Sequence, residues 1–179
     1  MGVLKLKQLK SLRLPCNKFS KIPKNIHRLK ALKVLSFEGG ACGGTPIDQI
    51  PSTIGNLSNL EVFELGYTEK GIKSLPESFT QLQKLRRFEC NGCGLEVLPQ
   101  SIGQLQALEN VSLMNIRQFK PFPKAFFSLK NLKSFRYYQY QQADEQLLQQ
   151  LPELETWGKD LEQYEFEING VYAYPKKKN

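Results

Sequence analysis

The chain has 179 residues, 40% of them apolar or aromatic, and a formal net charge of +8. That length suits one domain with a full-sized core, and no apolar run is long enough to cross a membrane as a helix. Four cysteines, Cys16, Cys42, Cys90 and Cys93, are too few and too scattered for a disulfide scaffold, so a reducing compartment is expected.

The first residues, MGVLKLKQLKSL, alternate Lys with Leu. They lack the apolar core and cleavage site of a signal peptide, which points to a cytoplasmic protein. Gly2 does not open a myristoylation motif, because Leu6 stands where Ser or Thr is wanted. Ten Lys or Arg fall between Lys5 and Lys33, with no acid before Glu38. The basic character therefore belongs to the N-terminal end, and the remainder is close to neutral.

From Leu9 the sequence repeats. LKSLRLPCNKFSKIPKNIHRLKA, from Leu9, aligns without a gap on LRRFECNGCGLEVLPQSIGQLQA, from Leu85. Apolar residues occupy places one, four, six, eleven and fourteen of this frame. Pro stands at fifteen, Ile at eighteen and Leu at twenty-one. The same frame starts at Leu32, Leu60, Leu108 and Leu132, giving about six units. Two insertions, around GGACGGTPIDQ and GYTEKGIK, lengthen the second and third units at one place. VLKLKQLKSLRL aligns with IGQLQALENVSL, so residues 1–8 read as the tail of a further unit whose strand is missing. This N-terminal edge is expected to be uncapped and open to association.

Each unit has the two-residue alternation of a short strand at LxL, then turn residues, then apolar spacing suited to one helical or 3₁₀ turn. A single unit cannot bury its leucines; stacked units can. The segments IPSTIGNLSNL, LPESFTQLQKL and LPQSIGQLQAL resemble the leucine-rich repeat family, in its LPxxIgxLxxL subtype. The resemblance covers roughly residues 3–153. It implies an α/β solenoid, a right-handed horseshoe, with a parallel concave sheet and short helical or 3₁₀ segments on the convex side. It also implies that the residue at place nine turns inward at a corner.

Beyond the repeats, residues 154–179 read as a C-terminal cap and basic tail, leaving 9–153 as the array. A helix is expected around Leu147, Leu148 and Leu151, with Trp157 buried, and YEFEINGVYAY predicts a β-hairpin turning at Asn169-Gly170.

Catalytic signals are few. The chain has one His, His27, and no GxSxG or HExxH. The glycine-rich GGACGG lacks the Lys and Ser/Thr of a phosphate loop. Cys90-Asn91-Gly92-Cys93 has the spacing of a zinc or redox pair. Its frame instead places Cys90 in the core at place six and Cys93 at the corner, as inert structural thiols. No enzyme, cofactor, metal or small-molecule substrate is expected.

The outward strand places, three, five, seven and eight, are the candidate binding surface. They carry Arg13, Ser36, Glu38, Glu64, Tyr67, Arg87, Glu89, Asn91, Ser112, Met114, Arg136 and Tyr138. Aromatics, Met and Arg are the types that anchor protein interfaces. The resemblance implies a module that grips a protein or peptide on its concave sheet. The alternative it implies is a regulatory segment of a larger kinase, GTPase, ubiquitin ligase or immune receptor. Binding of nucleic acid or an anionic surface by the basic first repeats is disfavoured, since those lysines spread over both faces without interleaved aromatics.

Overall fold

The structure is a computed structural model and describes residues 5–38, 44–68, 71–117, 119–139, 145–168 and 171–173. Eight strands form one sheet in chain order. They are β1 (Ser11–Arg13), β2 (Val34–Phe37), β3 (Val62–Gly66), β4 (Arg87–Asn91), β5 (Asn110–Ile116), β6 (Ser134–Gln139), β7 (Gln163–Ile168) and β8 (Val171–Ala173). β1 to β7 are parallel, and β8 returns antiparallel on β7.

Parallel neighbours need a crossover. Here it runs through 3₁₀ turns at Lys24–Arg28, Ser52–Asn56, Glu77–Gln81, Ile102–Gln104 and Lys124–Ser128. The proline at place fifteen starts four of the five turns, and in the other Pro99 stands two residues before the N-cap Ser101. Pro23, Pro51, Pro76 and Pro123 sit at φ between −59° and −69° with extended ψ, the φ their rings impose. Their carbonyls accept from the amide three residues on, in Ile26, Ile54, Phe79 and Phe126.

The core lies between the sheet and the row of turns. Leu12, Leu35, Phe63, Phe88, Val111 and Phe135 at place four meet Ile26, Ile54, Phe79, Ile102 and Phe126 from the turns, and all are buried. Truncating one such side chain to Ala costs about 2–5 kcal/mol. The rings of Phe63, Phe79 and Phe88 lie 5.2–6.3 Å apart. A second cluster closes the C-terminal end. Helix α1 (Glu145–Gln149) buries Leu147, and α2 (Leu151–Gly158) buries Leu154 and lays Trp157 on Phe126, Phe127 and Phe135 at 5.1–5.7 Å. Trp157 keeps part of its surface in solvent, so it is a lid rather than a fully buried core residue. The side chain of Gln150 donates to the Phe122 carbonyl at 2.9 Å and accepts from its amide at 2.7 Å.

The hairpin extends the sheet beyond the repeats. β7 pairs with β6 from Ser134↔Gln163 to Gln139↔Ile168, and Ile168 pairs with Val171 of β8. The turn residues Asn169 and Gly170 lie outside the described residues. At the other end β1 has only three residues, Leu9 and Leu14 are partly buried, and Leu6 and Phe19 are 52% and 57% exposed.

Strands end at a recurrent corner. Place eight is left-handed in Cys16 (φ 54°), Tyr67 (φ 45°), Gly92 (φ 64°) and Asn115 (φ 57°). Asn and Gly accept that conformation readily; Cys and Tyr pay roughly 1–2 kcal/mol each. β6 has no such corner and runs on through Gln139 at the same place.

The corner corrects the reading of the cysteines. Cys90 and Cys93 are both fully buried, but they are joined in a disulfide with Cα atoms 5.6 Å apart. The left-handed turn at Gly92 reverses the chain, so two side chains that each point inward meet in one pocket within disulfide range. Cys16 is also disulfide-bonded; Cys42 lies outside the described residues. The expected free thiols are therefore replaced by bridges.

Two outcomes follow for this corner. In the folded protein, a reductant followed by an alkylating reagent should leave Cys90 and Cys93 unlabelled by mass spectrometry until denaturant is added; labelling of the native chain would show an open corner. Gly92→Ala should destabilise by about 1–3 kcal/mol in urea denaturation, because a Cβ there would sit 2.8 Å from the Tyr67 ring at a φ of +64°. Asn115→Gly at the equivalent place should change stability far less.

Candidate functional site: the concave sheet face

The parallel register stacks equivalent places into rows. Across β1 to β7, place five carries Arg13, Ser36, Glu64, Glu89, Ser112, Arg136 and Glu165. Every helical element described packs behind the sheet or at its C-terminal end, and this row looks outward.

The small residues at place five set the geometry. Ser36 and Ser112 are buried between larger neighbours, and their low profile lets long side chains cross over them. Two strand spacings are about 10 Å, within reach of an arginine. Arg13 crosses Ser36 and donates to Glu64 Oε2 at 2.9 Å. Glu64 is buried, so its carboxylate already has its base inside the chain. Removing Arg13 alone would leave a buried charge uncompensated, the costly way to break such a pair.

Glu89 is the direct neighbour of Glu64 in register and lies half-buried. Burial pushes its carboxyl above the ordinary range, and the Glu64 and Glu38 charges push the same way. Arg136 and Arg87 pull it back. Among the described residues no ion pair forms at Glu89. Its recorded partner is the Asn91 amide, which donates to Oε2 at 3.3 Å.

Asn91 has a structural task that the sequence did not signal. Its Oδ1 accepts from Ser112 Oγ at 2.8 Å and from the Met114 amide at 3.0 Å. The β4–β5 register runs from Arg87↔Asn110 to Glu89↔Ser112, and the Asn91 side chain carries the link one step further. Gly92 N then donates to the Met114 carbonyl at 2.7 Å.

The remaining candidates fall into two groups. Tyr67, 42% exposed, lays its ring beside Gly92 and accepts from Asn115 Nδ2 at 3.3 Å. Met114 and Tyr138 are half-buried at place seven, and Glu38 is exposed beside Gly66. Between β4 and β6 the face dips into a hollow of about 220 Å³ bordered by Arg87, Glu89, Asn110, Ser112, Ser134 and Arg136. The face thus brings together an internally paired region at β1–β3 and an open hollow at β4–β6. Sequence reasoning missed Glu165, which joins the row only because β7 pairs in parallel with β6. It also missed the crossing of Arg13 to Glu64.

These features define the class. With a parallel sheet in chain order, a 3₁₀ turn in each crossover from β1 to β6 and a stack of leucines behind it, the chain matches the model of a leucine-rich repeat region over residues 41–163. The chain belongs to the leucine-rich repeat family. It is 30% identical over 102 residues to the TMV resistance protein N of Nicotiana glutinosa, covering 57% of this chain but 9% of that protein. A leucine-rich repeat protein of Leptospira interrogans superimposes with a TM-score of 0.71 at 29% identity, over 84% of this chain and 37% of the other. The ectodomain of the receptor kinase GASSHO1/SCHENGEN3 from Arabidopsis thaliana, in complex with CASPARIAN STRIP INTEGRITY FACTOR 2, gives 0.61 at 29% identity, over 79% of this chain and 17% of that one. The chain therefore spans well under half the length of each.

The half-buried Glu89 supplies a pH test. Its carboxyl holds a proton to higher pH folded than unfolded, so the folded state binds more protons in the window between the two. Stability from this group is thus lost as pH rises through that window. Glu89→Gln should stabilise the protein at pH 7.5, by less than about 1 kcal/mol given the solvent on one side. The gain should vanish below the ordinary carboxylate range. Equal urea midpoint shifts at both pH values would contradict this.

Proposed function

We propose that the chain is a binding module that holds a protein segment or peptide along its concave sheet, without catalysis. The observation that carries this reading is the open face itself. No described element covers places five and seven of β4 to β6, where half-buried Met114 and Tyr138 sit beside the polar hollow. Apolar anchors next to charge that is not already paired are the composition of an interface centre with its rim. A solved relative captured with a protein factor, GASSHO1/SCHENGEN3, supports the same reading.

The proposed contact set is Arg13, Ser36, Glu38, Glu64, Tyr67, Arg87, Glu89, Asn91, Ser112, Met114, Arg136 and Tyr138. Geometry ranks it. Tyr67, Arg87, Glu89, Met114, Arg136 and Tyr138 would touch the ligand. Ser36, Glu64, Asn91 and Ser112 hold the surface in shape, being buried or engaged within it. Nucleic acid is not the favoured partner, because the outward rows mix acids with bases.

A regulatory segment of a larger protein is the second reading, favoured by the small share of the matched resistance protein that this chain spans. Within it, the division into a partial unit at 1–8, repeats at 9–153 and a cap at 154–179 stands as a proposal. The exposed Leu6 and Phe19 at the β1 end would be its contact with neighbouring structure. Cytoplasmic residence belongs to the same proposal, and the buried Cys90–Cys93 bridge bears on it, since disulfides persist chiefly where the setting oxidises.

The test is a pull-down of the natural partner with Met114→Asp and, separately, Tyr138→Ala. Both positions are only half-buried and should leave folding within about 1 kcal/mol, below the range for truncations in a full core. Each variant should lose most of its binding. Folded variants that bind as the wild type does would remove the concave face as the site. Glu64→Lys is unsuited to this purpose, because it would set a second cation against Arg13.

A further inference from the structure

Building on the concave-face reading, we infer that the hollow between β4 and β6 is a carboxylate-binding subsite, which takes an acidic side chain or the free C-terminus of the bound segment. Three adjacent strands each present a donor to it: Arg87 from β4, Asn110 from β5 and Arg136 from β6. Arg87 and Asn110 are paired in register, and Arg136 stands two places beyond the residue paired with Asn110. The two arginines are two strands apart and offset by two residues along the strand, roughly 12 Å at the backbone. Both border the same hollow, so one anion between them meets donors from either side.

The charges of both arginines act on the neighbouring Glu89, but their hydrogen-bond donors are open. Among the described residues, neither the guanidinium of Arg87 nor that of Arg136 makes a hydrogen bond or an ion pair, and the Asn110 side chain makes none either. Several bases in or just before the strands are engaged: Arg13 with Glu64, Lys33 with Glu61, and Arg86 with Glu109. The acids nearby do not take their place. Glu89 is turned to Asn91, and Glu165, the register partner of Arg136, is exposed at the rim.

The shape selects the charge and the group. A planar carboxylate can accept two parallel N–H bonds from a guanidinium fork, with the second base and the Asn110 amide taking its remaining lone pairs. A basic group would face two arginines. About 220 Å³ accommodates one side chain and not a folded element. The β1–β3 end of the face behaves differently, since Arg13 and Glu64 already neutralise each other there.

The experiment is a selection of random dodecapeptides on the whole immobilised chain, run with two libraries. One is displayed through its C-terminus, which blocks the terminal carboxylate. The other is displayed through its N-terminus, which leaves that carboxylate free. Enrichment of Asp or Glu at one fixed position in the first library assigns the subsite to an acidic side chain. Enrichment only in the second assigns it to a peptide C-terminus. Either supports the inference, provided that Arg87→Gln and Arg136→Gln each weaken the selected peptides on the order of ten- to hundred-fold, the loss expected for one charge-assisted pair. Arg86→Gln, outside the hollow, should change nothing. Peptides that lack an acid, or that bind the two arginine variants as they bind the wild type, overturn it. So does a selection that recovers no more on the wild type than on the double variant. Peptides that depend on Tyr138 but not on the arginines would leave the concave-face reading standing and remove this subsite alone. Peptides that depend on neither would remove both.

Discussion

Every feature of the molecule depends on one constraint: a unit of this length cannot bury its own leucines. Its place-four and place-six side chains point to one side of a short strand, and the place-one side chain just before the strand joins them in the core. They leave water only when a neighbouring unit stacks on them and a turn covers them from behind. The drive is apolar area removed from solvent, about 25 cal/mol per Å². It acts between neighbours, so the fold is a line of interfaces rather than one centre. The two ends differ for this reason. At the far end Trp157, Leu147 and Leu154 supply the last interface. At the near end Leu6 and Phe19 keep more than half their surface in solvent.

Stacking also makes the outward face. Because each unit repeats the same register, side chains from distant parts of the sequence line up one strand spacing apart. Arg13 and Glu64 are 51 residues apart in the chain, yet they pair across a buried serine. Equal register turns a periodic core into an ordered outer surface, and the variation at places three, five and seven decides its chemistry. A left-handed corner at place eight follows β1, ends β3 and β4, and kinks β5 at Asn115. It aims Tyr67 over Gly92 and brings Cys90 to Cys93.

The face divides into two parts that differ in how far their charges are satisfied within the chain. Toward β1 the charges are satisfied within the chain. Toward β6 two arginines and an asparagine keep their donors open beside a half-buried Met and Tyr. A charge already paired gains little from a partner, because the partner must first displace the internal one. Position along the solenoid therefore ranks residues that look equivalent in sequence.

The sequence by itself determined the architecture. Its period and its LxL alternation depend on residue type alone, and the Pro at place fifteen fixes φ locally, so strands, turns and core were all legible without coordinates. The hairpin was legible from Asn169-Gly170, but its use as sheet strands seven and eight was not, because pairing with β6 is a contact between elements. The candidate face was legible as a list of places. What only the tertiary structure decided was which of them are free. Glu64 reads as an open acid until Arg13 is found across Ser36. Asn91 reads as exposed until its amide is found holding β5. Cys90 and Cys93 read as separate thiols until the turn at Gly92 closes them together. Each depends on the distance between side chains from different strands or across a corner, and residue spacing along the chain does not encode that distance.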